Sequence, residues 1–269
     1  MQELKEEDIS RLKGIELGIL KSFISVCDRL NLVYFAVGGT LLGTIRHKGF
    51  IPWDDDIDVA MPRKDYDIFI AKAQALLPDD LFLQNIYTEK NWFSNYAKIR
   101  KNNTLFVESS IKERKINHGV FIDVFPLDYY PEDRLKQLIV DTKLRIINRR
   151  LSDGYIKDHK ENTSVQARIV KTVTRMLWPD LKKVSYMKEK LITTVPESKY
   201  VIVYCGAWGK REIAKRKWFD KIIKKQFEDI NINVPKKYNK YLNRVYGDYM
   251  KLPPIEERKG HHFVDSFDF

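Results

Sequence analysis

The stretch VYFAVGGTLLGTIRHKGFIPWDDDIDVAM, residues 33–61, decides the fold because it joins a strand, a Gly-Gly turn and a second strand headed by aspartates. Residues 33–37 predict a strand that enters the turn, and residues 40–46 predict a short helix after it. Backbone N–H groups in such a turn approach a phosphate closely. We therefore expect Gly38 and Gly39 to contact phosphate, although a Gly-Gly turn is also common as a plain strand-to-helix connection.

The aspartates downstream of this turn predict a metal site. In the predicted strand DIDVAM, alternate side chains share a face, so Asp56 and Asp58 lie together while Ile57 and Val59 point to the other side. Two carboxylates so placed repel each other unless a cation joins them. Mg²⁺ prefers a few carboxylates together with substrate phosphates, and Mn²⁺ is the alternative ion. The sequence therefore predicts a divalent metal and a phosphate at one site.

A calcium loop is one alternative, because Asp54, Asp56 and Asp58 have the spacing of its first three ligands. However, Val59 and Asp65 stand where an EF-hand has glycine and glutamate, and no helix-loop-helix pattern flanks them. An acidic surface loop is a second alternative. It fits poorly with the apolar residues woven through the segment.

A third carboxylate, Asp123, interrupts the otherwise apolar strand GVFIDVFPLD, residues 119–128. Burying an unpaired carboxylate is costly, so Asp123 requires a cation, a proton or hydrogen-bond donors. Backbone N–H groups or an arginine would also satisfy it. Since Asp56 and Asp58 are available, a shared metal site is the better interpretation.

The rest of the sequence predicts a first half of the chain that mixes helices and strands, followed by a helical region. Helices are expected at residues 6–31, 64–77, 135–151, 165–178, 181–195 and 238–246, with Gly247 as a C-cap. Strands are expected at residues 81–87, 96–100, 104–108, 120–125 and 200–205. We place a boundary near Pro126 to Pro131. This predicts a catalytic core at residues 1–130, a basic helical region at 131–195, and a C-terminal segment at 196–269 that packs back on the core and closes the site.

Composition excludes several classes of protein. With 269 residues, 43% of them hydrophobic, the chain is long and apolar enough for a packed core, so it is not a disordered protein. No apolar run is long enough to span a membrane, and the start resembles no signal peptide. Cys27 and Cys205 indicate neither a disulfide framework nor a zinc site. We expect a cytoplasmic protein, with contact at the inner face of the cell membrane as a further option.

The positive charge is concentrated in the predicted helices. Residues 134–195 hold 15 Lys and Arg against 6 Asp and Glu, which is +9 of the net +11. Such a region favours an anionic partner, such as a membrane surface, although solvated helical faces explain it equally well. No nucleic-acid-binding signature is visible, so no nucleic acid is expected as a partner.

Three acidic residues on adjacent strands behind a Gly-Gly turn resemble the nucleotidyltransferase fold of polymerase-β-type enzymes. The fuller pattern is residues 38–66, HGVFIDVFPLD at residues 118–128, and YGDYMKLPP at residues 246–254 followed by His261 and His262. This pattern resembles the LicD family of bacterial phosphocholine transferases. The resemblance implies an α+β fold, with a mixed polymerase-β-like sheet flanked by helices and an added basic helical region.

The resemblance also implies residue roles. It makes Asp56, Asp58 and Asp123 ligands of Mg²⁺, the same three that the residue pattern selects, whereas Asp54 and Asp55 have less certain roles. Thr40, which follows Gly39, is implied as a phosphate contact. His261 and His262 are implied to close on the site as donors to phosphate, with solvent-exposed histidines as the alternative.

Basic and aromatic residues are expected to complete the site. Phosphoryl transfer depends on positioning and charge stabilisation, so we expect phosphate contacts from Arg46 and Lys48, between the turn and the aspartates. Lys98 and Arg100 alternate along a predicted strand and share a face, which would lie over a pyrophosphate.

A choline ammonium requires an aromatic cage because its methyl groups cannot donate hydrogen bonds. The candidates in this sequence are Trp53, Trp92 and Tyr96.

The function implied is Mg²⁺-dependent transfer of phosphocholine from CDP-choline to a sugar hydroxyl of a lipid-linked glycan precursor. The acceptor would be of teichoic acid or lipopolysaccharide type, CMP would leave, and Asp123 would be the general base. Phosphoethanolamine, glycerol phosphate or ribitol phosphate would use the same metal core. The alternative enzyme is a nucleotidyltransferase that moves an NMP to a small molecule or RNA. A non-catalytic alternative is a basic module that binds nucleic acid or membrane.

Overall fold

The structure, a computed structural model, describes residues 4–154, 165–258, 260 and 263–269. It begins with helix α1, Glu6–Leu30, whose first turn is acidic and therefore complements the positive end of the helix dipole. Asn31 ends the helix in the left-handed conformation, at a φ of 52°. Leu12, Ile19 and Phe23 on one face of α1 are buried in the main core. The helix therefore covers one side of the sheet.

Helices and short strands alternate through the first half of the chain. In order they are β1 (Phe35–Ala36), α2 (Gly38–Arg46), β2 (Asp58–Pro62), α3 (Arg63–Lys72), β3 (Leu81–Gln84), β4 (Ala97–Lys101), β5 (Leu105–Glu108) and β6 (Phe121–Tyr130). The second half comprises α4 (Arg134–Leu151), α5 (Val165–Leu177), α6 (Leu181–Thr193), β7 (Tyr200–Ile202), β8 (Ala214–Lys215), β9 (Ile222–Phe227), β10 (Ile230–Pro235), α7 (Tyr238–Tyr246) and β11 (Val264–Asp268).

The central sheet of the described chain is mixed. Its strands follow the order β1-β2-β6-β4-β3, and β7 pairs with both β6 and β8. Strands β2 and β6 run parallel, whereas the other pairs in this sheet are antiparallel. Two smaller sheets pair β9 with β10 and β11 with β5. The predicted mixed α/β class is therefore confirmed.

Strand β6 is longer than the predicted strand at residues 120–125, because it continues through Pro126 to Tyr130. Proline cannot donate to a strand ladder, and it is tolerated here because β4 pairs with β6 only as far as Val124 and β7 begins to pair at Asp128. Through β7, the C-terminal segment joins the same sheet as the first half. The division into three regions stays a prediction.

The predicted helices are present, although the one expected at residues 64–77 ends at Lys72 and continues only as a 3-10 turn, Ala73–Ala75. Gly247 follows α7 at a φ of 72°. Strands β8 to β11 have no predicted counterpart. Charged residues such as Lys224 and Lys225 interrupt the apolar pattern of β9, so the sequence predicts no strand there. The strand is stabilised by its pairing with β10. Among the described helices, none is both long enough and apolar enough to span a membrane.

Candidate active site

A cleft of about 1050 Å³ lies beside the first residues of β2 and β6. Its walls come from the Gly-Gly turn and α2, from the aspartate segment, and from the C-terminal segment. Five aspartates and a set of aromatic rings line it: Asp54, Asp56, Asp58, Asp123 and Asp248, with Trp53, Tyr96, Phe125, Trp208, Tyr241, Tyr246 and Tyr249. The three predicted metal ligands are therefore brought to one cleft.

Asp58, Asp123 and Lys98 lie side by side on three adjacent strands. Asp58 pairs with Asp123 in the parallel register, and Asp123 pairs with Lys98 in the antiparallel register. Nζ of Lys98 lies 2.9 Å from Oδ1 of Asp123 and 3.6 Å from Oε2 of Glu108. The same nitrogen lies 3.2 Å from the ring centre of Phe121. Lys98 is only 1% exposed, so it is the buried ionic partner of Asp123, and its predicted contact with pyrophosphate stays a prediction.

The strand β2 begins at Asp58, so Asp56 precedes the strand instead of belonging to it as predicted. Burial raises the pKa of Asp58 well above its usual value. The neighbouring charges of Asp56, Asp123 and Asp54 raise this pKa further, whereas the charge of Lys98 lowers it. This concentration of carboxylates favours a bound cation.

Asp54, Asp55 and Asp56 form a cluster that could hold a metal ion, because one carboxylate oxygen from each lies within 4.8 Å of the others. Asp54 and Asp55 are buried, although the sequence leaves their roles uncertain. Asp56 belongs both to this cluster and to the predicted set with Asp58 and Asp123. The donors are all hard oxygens, which suit a divalent cation such as Mg²⁺.

The Gly-Gly turn lies directly against these carboxylates. Gly38 has a φ of +54°, and a Cβ atom there would lie 2.6 Å from Oδ2 of Asp58. A Cβ atom on Gly39 would collide with Oδ2 of Asp54. The absence of side chains therefore allows the start of α2 to approach the carboxylates closely.

Thr40 is predicted to contact phosphate. It is not among the described residues that line the cleft. Its Oγ1 accepts a hydrogen bond of 2.7 Å from the backbone N–H of Asp58. Thr40 is buried, and its hydrogen bond connects α2 to the start of β2. This bond holds the backbone of Asp58 against the start of α2.

The guanidinium of Arg100, also predicted to lie over a pyrophosphate, is fully buried and does not line the cleft. Nε donates to Oε1 of Gln84 at 2.7 Å, and Nη1 donates to the carbonyl oxygen of Gly119 at 2.8 Å. Arg100 does share a face with Lys98, as predicted. However, it pairs with Phe121, two residues away from Asp123, so it lies beneath the site.

Of the two basic residues predicted to contact phosphate between the turn and the aspartates, Arg46 lines the cleft and Lys48 does not. Lys48 is exposed at a φ of 62° and does not line the cleft. Arg46 does line the cleft, but its Nη1 donates to the carbonyl oxygen of Tyr249 at 2.9 Å. Arg46 therefore holds the C-terminal segment against α2.

The predicted aromatic cage is not assembled as expected. Trp92 is buried with Ile86 and Ile111 in a separate cluster and does not line the cleft. Trp53 and Tyr96 do line the cleft. The guanidinium carbon of Arg258 lies 5.3 Å from the Trp53 ring centre, so this ring already has a cationic neighbour.

His261 and His262 lie outside the described residues. Other residues of the C-terminal segment line the cleft without having been predicted, chiefly Trp208, Glu212, Tyr241, Tyr246 and Tyr249. Tyr246 and Tyr249 belong to the motif YGDYMKLPP, which could have identified them. No motif marks Trp208 or Glu212.

Three comparisons relate the chain to known proteins. Residues 31–150 match the family model described as LicD/FKTN/FKRP, nucleotidyltransferase domain. The chain is 34% identical over 266 residues to the lipopolysaccharide cholinephosphotransferase LicD of Haemophilus influenzae, covering 93% of this chain and 94% of that protein. It is 31% identical over 132 residues to an uncharacterised protein of Rickettsia prowazekii, covering 49% of this chain and 46% of that protein.

Proposed function

The chain belongs to the LicD family and is a phosphotransferase, and from this premise we propose that it transfers phosphocholine from CDP-choline to a hydroxyl group of a cell-envelope glycan. The observation that carries the proposal is the cleft in which Asp56, Asp58 and Asp123 converge beside the Gly38-Gly39 turn. Parallel strands that present carboxylates behind such a turn support a nucleotidyltransferase-type core. The acceptor would be a lipopolysaccharide or teichoic acid precursor.

We propose Asp56, Asp58 and Asp123 as the residues that hold Mg²⁺, with Asp54 as a neighbouring donor. The donor set fits a hard divalent ion, and the turn leaves no side chain between the carboxylates and a phosphate. When bound, such an ion would neutralise the diphosphate of the donor substrate.

The chain's own residues supply the remaining steps. Backbone N–H groups at Gly38 and Gly39 bind and orient the phosphate. Asp123 accepts the proton of the attacking hydroxyl group, whose oxygen bonds to the choline-bearing phosphorus as the bond from that phosphorus to the CMP oxygen breaks. Lys98 orients Asp123 through the contact of 2.9 Å. CMP is the leaving group.

Nucleotide release tests the proposal. Purified protein would be incubated with Mg²⁺, a panel of CDP-alcohols or NTPs, and glycan acceptors, with EDTA as a metal-removal control. We expect CMP from CDP-choline only when acceptor and Mg²⁺ are present, and a loss of at least about 100-fold in Asp58→Asn and Asp123→Asn. Asp229→Asn is the matched control, because this carboxylate is exposed and pairs with Lys21 at the surface.

The same assay separates the alternatives. Pyrophosphate released from an NTP would replace the proposal with nucleotidyl transfer. CMP released only from CDP-ethanolamine, CDP-glycerol or CDP-ribitol would retain the reaction and change the transferred group. No turnover with any donor, together with salt-dependent polyanion binding, would favour a binding module.

We also propose that the basic helices contact an anionic membrane that carries the acceptor. Helix α4 exposes Leu135, Leu138, Ile139 and Ile146 along one stripe, opposite its buried face. Helix α5 exposes Ile169, Val173, Met176 and Leu177 in the same way. Exposed apolar stripes flanked by Lys and Arg suit the surface of an anionic bilayer. Such contact would place the enzyme at the inner face of the membrane.

A further inference from the structure

The cleft has a second region, formed by Trp208, Tyr246 and Glu212, that the transfer chemistry does not use. Trp208 and Tyr246 meet edge to face, with ring centres 5.0 Å apart and an interplanar angle of 73°. Trp208 remains 39% exposed, although the guanidinium carbon of Arg211 lies 5.8 Å from its ring centre. The aromatic surface is therefore accessible to a ligand in the cleft.

Glu212 lines the same cleft as these rings. It is 4% exposed, and its Oε2 accepts a hydrogen bond of 2.7 Å from the hydroxyl group of Tyr241. The backbone of Trp208 also forms a hydrogen bond with it. A Cβ atom on Gly206 would lie 2.7 Å from Oε1, so the neighbouring loop is tightly fitted around this carboxylate.

The donors to Glu212 are neutral groups, and within the described residues it takes part in no salt bridge. Burial raises the pKa of Glu212, with the Tyr241 hydrogen bond opposing the shift. A buried carboxylate held by neutral donors in an open cleft is stabilised by any cation that enters.

This region lies next to the aspartate cluster. Burial raises the pKa of Tyr246, and the charges of Asp58, Asp54 and Glu212 raise it further. Tyr246, Asp54, Asp58 and Glu212 all line the same cleft. One ligand could place a phosphate at the aspartates and a cation beside Glu212.

We propose that Glu212, Trp208 and Tyr246 form the subsite for the quaternary ammonium group of the transferred phospho-alcohol. The inference rests on the proposed function, since that function supplies a choline head group. A quaternary ammonium cannot donate hydrogen bonds, so aromatic rings and a nearby carboxylate bind it through its charge. Neutral glycerol or ribitol would leave the carboxylate of Glu212 uncompensated, which selects against them.

Binding tests the subsite without turnover. Tetramethylammonium and choline would be titrated into wild-type protein, Glu212→Gln and Trp208→Leu, with heat of binding as the readout. We expect each variant to weaken binding about tenfold, which corresponds to about 1.4 kcal/mol. Glu197→Gln is the control, because Glu197 is exposed and pairs with Arg216. Absence of binding to wild type, or equal binding by the wild type and both variants, overturns the subsite.

Kinetics with two donors gives a second readout. In Glu212→Gln, the KM for CDP-choline should rise about tenfold while the KM for CDP-glycerol stays constant or falls. Equal effects on both donors would show that Glu212 acts only on structure and would overturn the subsite. Trp208→Leu alters an exposed side chain and keeps the test valid if Glu212→Gln fails to fold. A wild type that binds choline but releases no CMP from any donor would refute the proposed function and leave the subsite intact.

Discussion

Asp58 and Asp123 are direct register partners in the parallel pairing of β2 with β6, although they are far apart in the chain. Paired residues in adjacent strands project from the same face, so the register itself brings the two carboxylates together. A slip of one residue would move one carboxylate to the opposite face. Lys98 extends the row on β4 and supplies the opposing charge.

Asp58→Asn should raise the free energy of unfolding at neutral pH by about 1 kcal/mol in metal-free buffer, while abolishing transfer. Because the folded-state pKa of Asp58 is raised, the folded protein binds this proton more tightly than the unfolded chain does. Wild-type stability therefore falls as pH rises above the unfolded value of about 4, and the variant lacks that loss. Urea unfolding from pH 4 to 8 measures the difference, and parallel curves would contradict the expectation.

Gly38→Ala and Gly18→Ala should change stability in opposite directions. A methyl group at position 38 faces a positive φ and Oδ2 of Asp58, so we expect a loss of at least about 1 kcal/mol and a distorted site. Gly18 lies on the exposed side of α1 with no atom close to a new Cβ, so alanine should add about 1 kcal/mol. Denaturant midpoints test the pair, and a neutral Gly38→Ala would refute the proposed close approach.

Lys98→Met should lower the free energy of unfolding by on the order of 3 kcal/mol and suppress CMP release, because it leaves Asp123 without its buried ammonium partner. Lys101→Met on the same strand is the matched control. Its ion pair with Asp80 is at the surface, so we expect at most about 0.5 kcal/mol. In the double variant with Asp123→Asn, part of the stability lost in Lys98→Met should return. If the losses of unfolding free energy in the two single variants add up in the double variant, Lys98 and Asp123 do not stabilise each other.

The two cysteines should differ in reactivity. Cys205 is half-buried and lines the cleft, whereas Cys27 is fully buried and its pKa is raised by burial. We expect a thiol reagent to modify one cysteine in the native protein, and CDP-choline to slow that reaction. The variant Cys205→Ser should be inert until it is unfolded. Rapid native labelling of this variant would show that Cys27 is accessible.

Binding to liposomes should depend on anionic lipid and weaken with salt, because each basic residue near the surface contributes about 1 kcal/mol. Met176→Ser and Arg168→Glu on the exposed face of α5 should reduce co-sedimentation. Tyr87→Ser removes an exposed aromatic ring outside these helices and serves as the control. Equal binding to neutral and anionic vesicles would contradict membrane contact through the basic helices.

Much of the local structure could be predicted from the sequence. The periodic apolar pattern predicts α1 and α4, and the apolar run around Asp123 predicts β6, because these signals repeat within each element. The structure places Arg100 and Trp92 outside the cleft, which no local pattern indicates. Alternation shows which face of the strand Arg100 occupies, but the distance from that face to the cleft depends on packing with other strands.

By itself, the sequence determined the helices, the strands from β1 to β7 and the aspartates that its motifs mark, because alternation, turn glycines and an interrupted apolar strand are local features. Only the tertiary structure decided that Thr40 supports Asp58, that Lys98 is buried beside Asp123, and that Glu212 joins the cleft. These relationships depend on strand register and on the return of the C-terminal segment to the sheet. Both arise from contacts between distant parts of the chain, which no local pattern encodes.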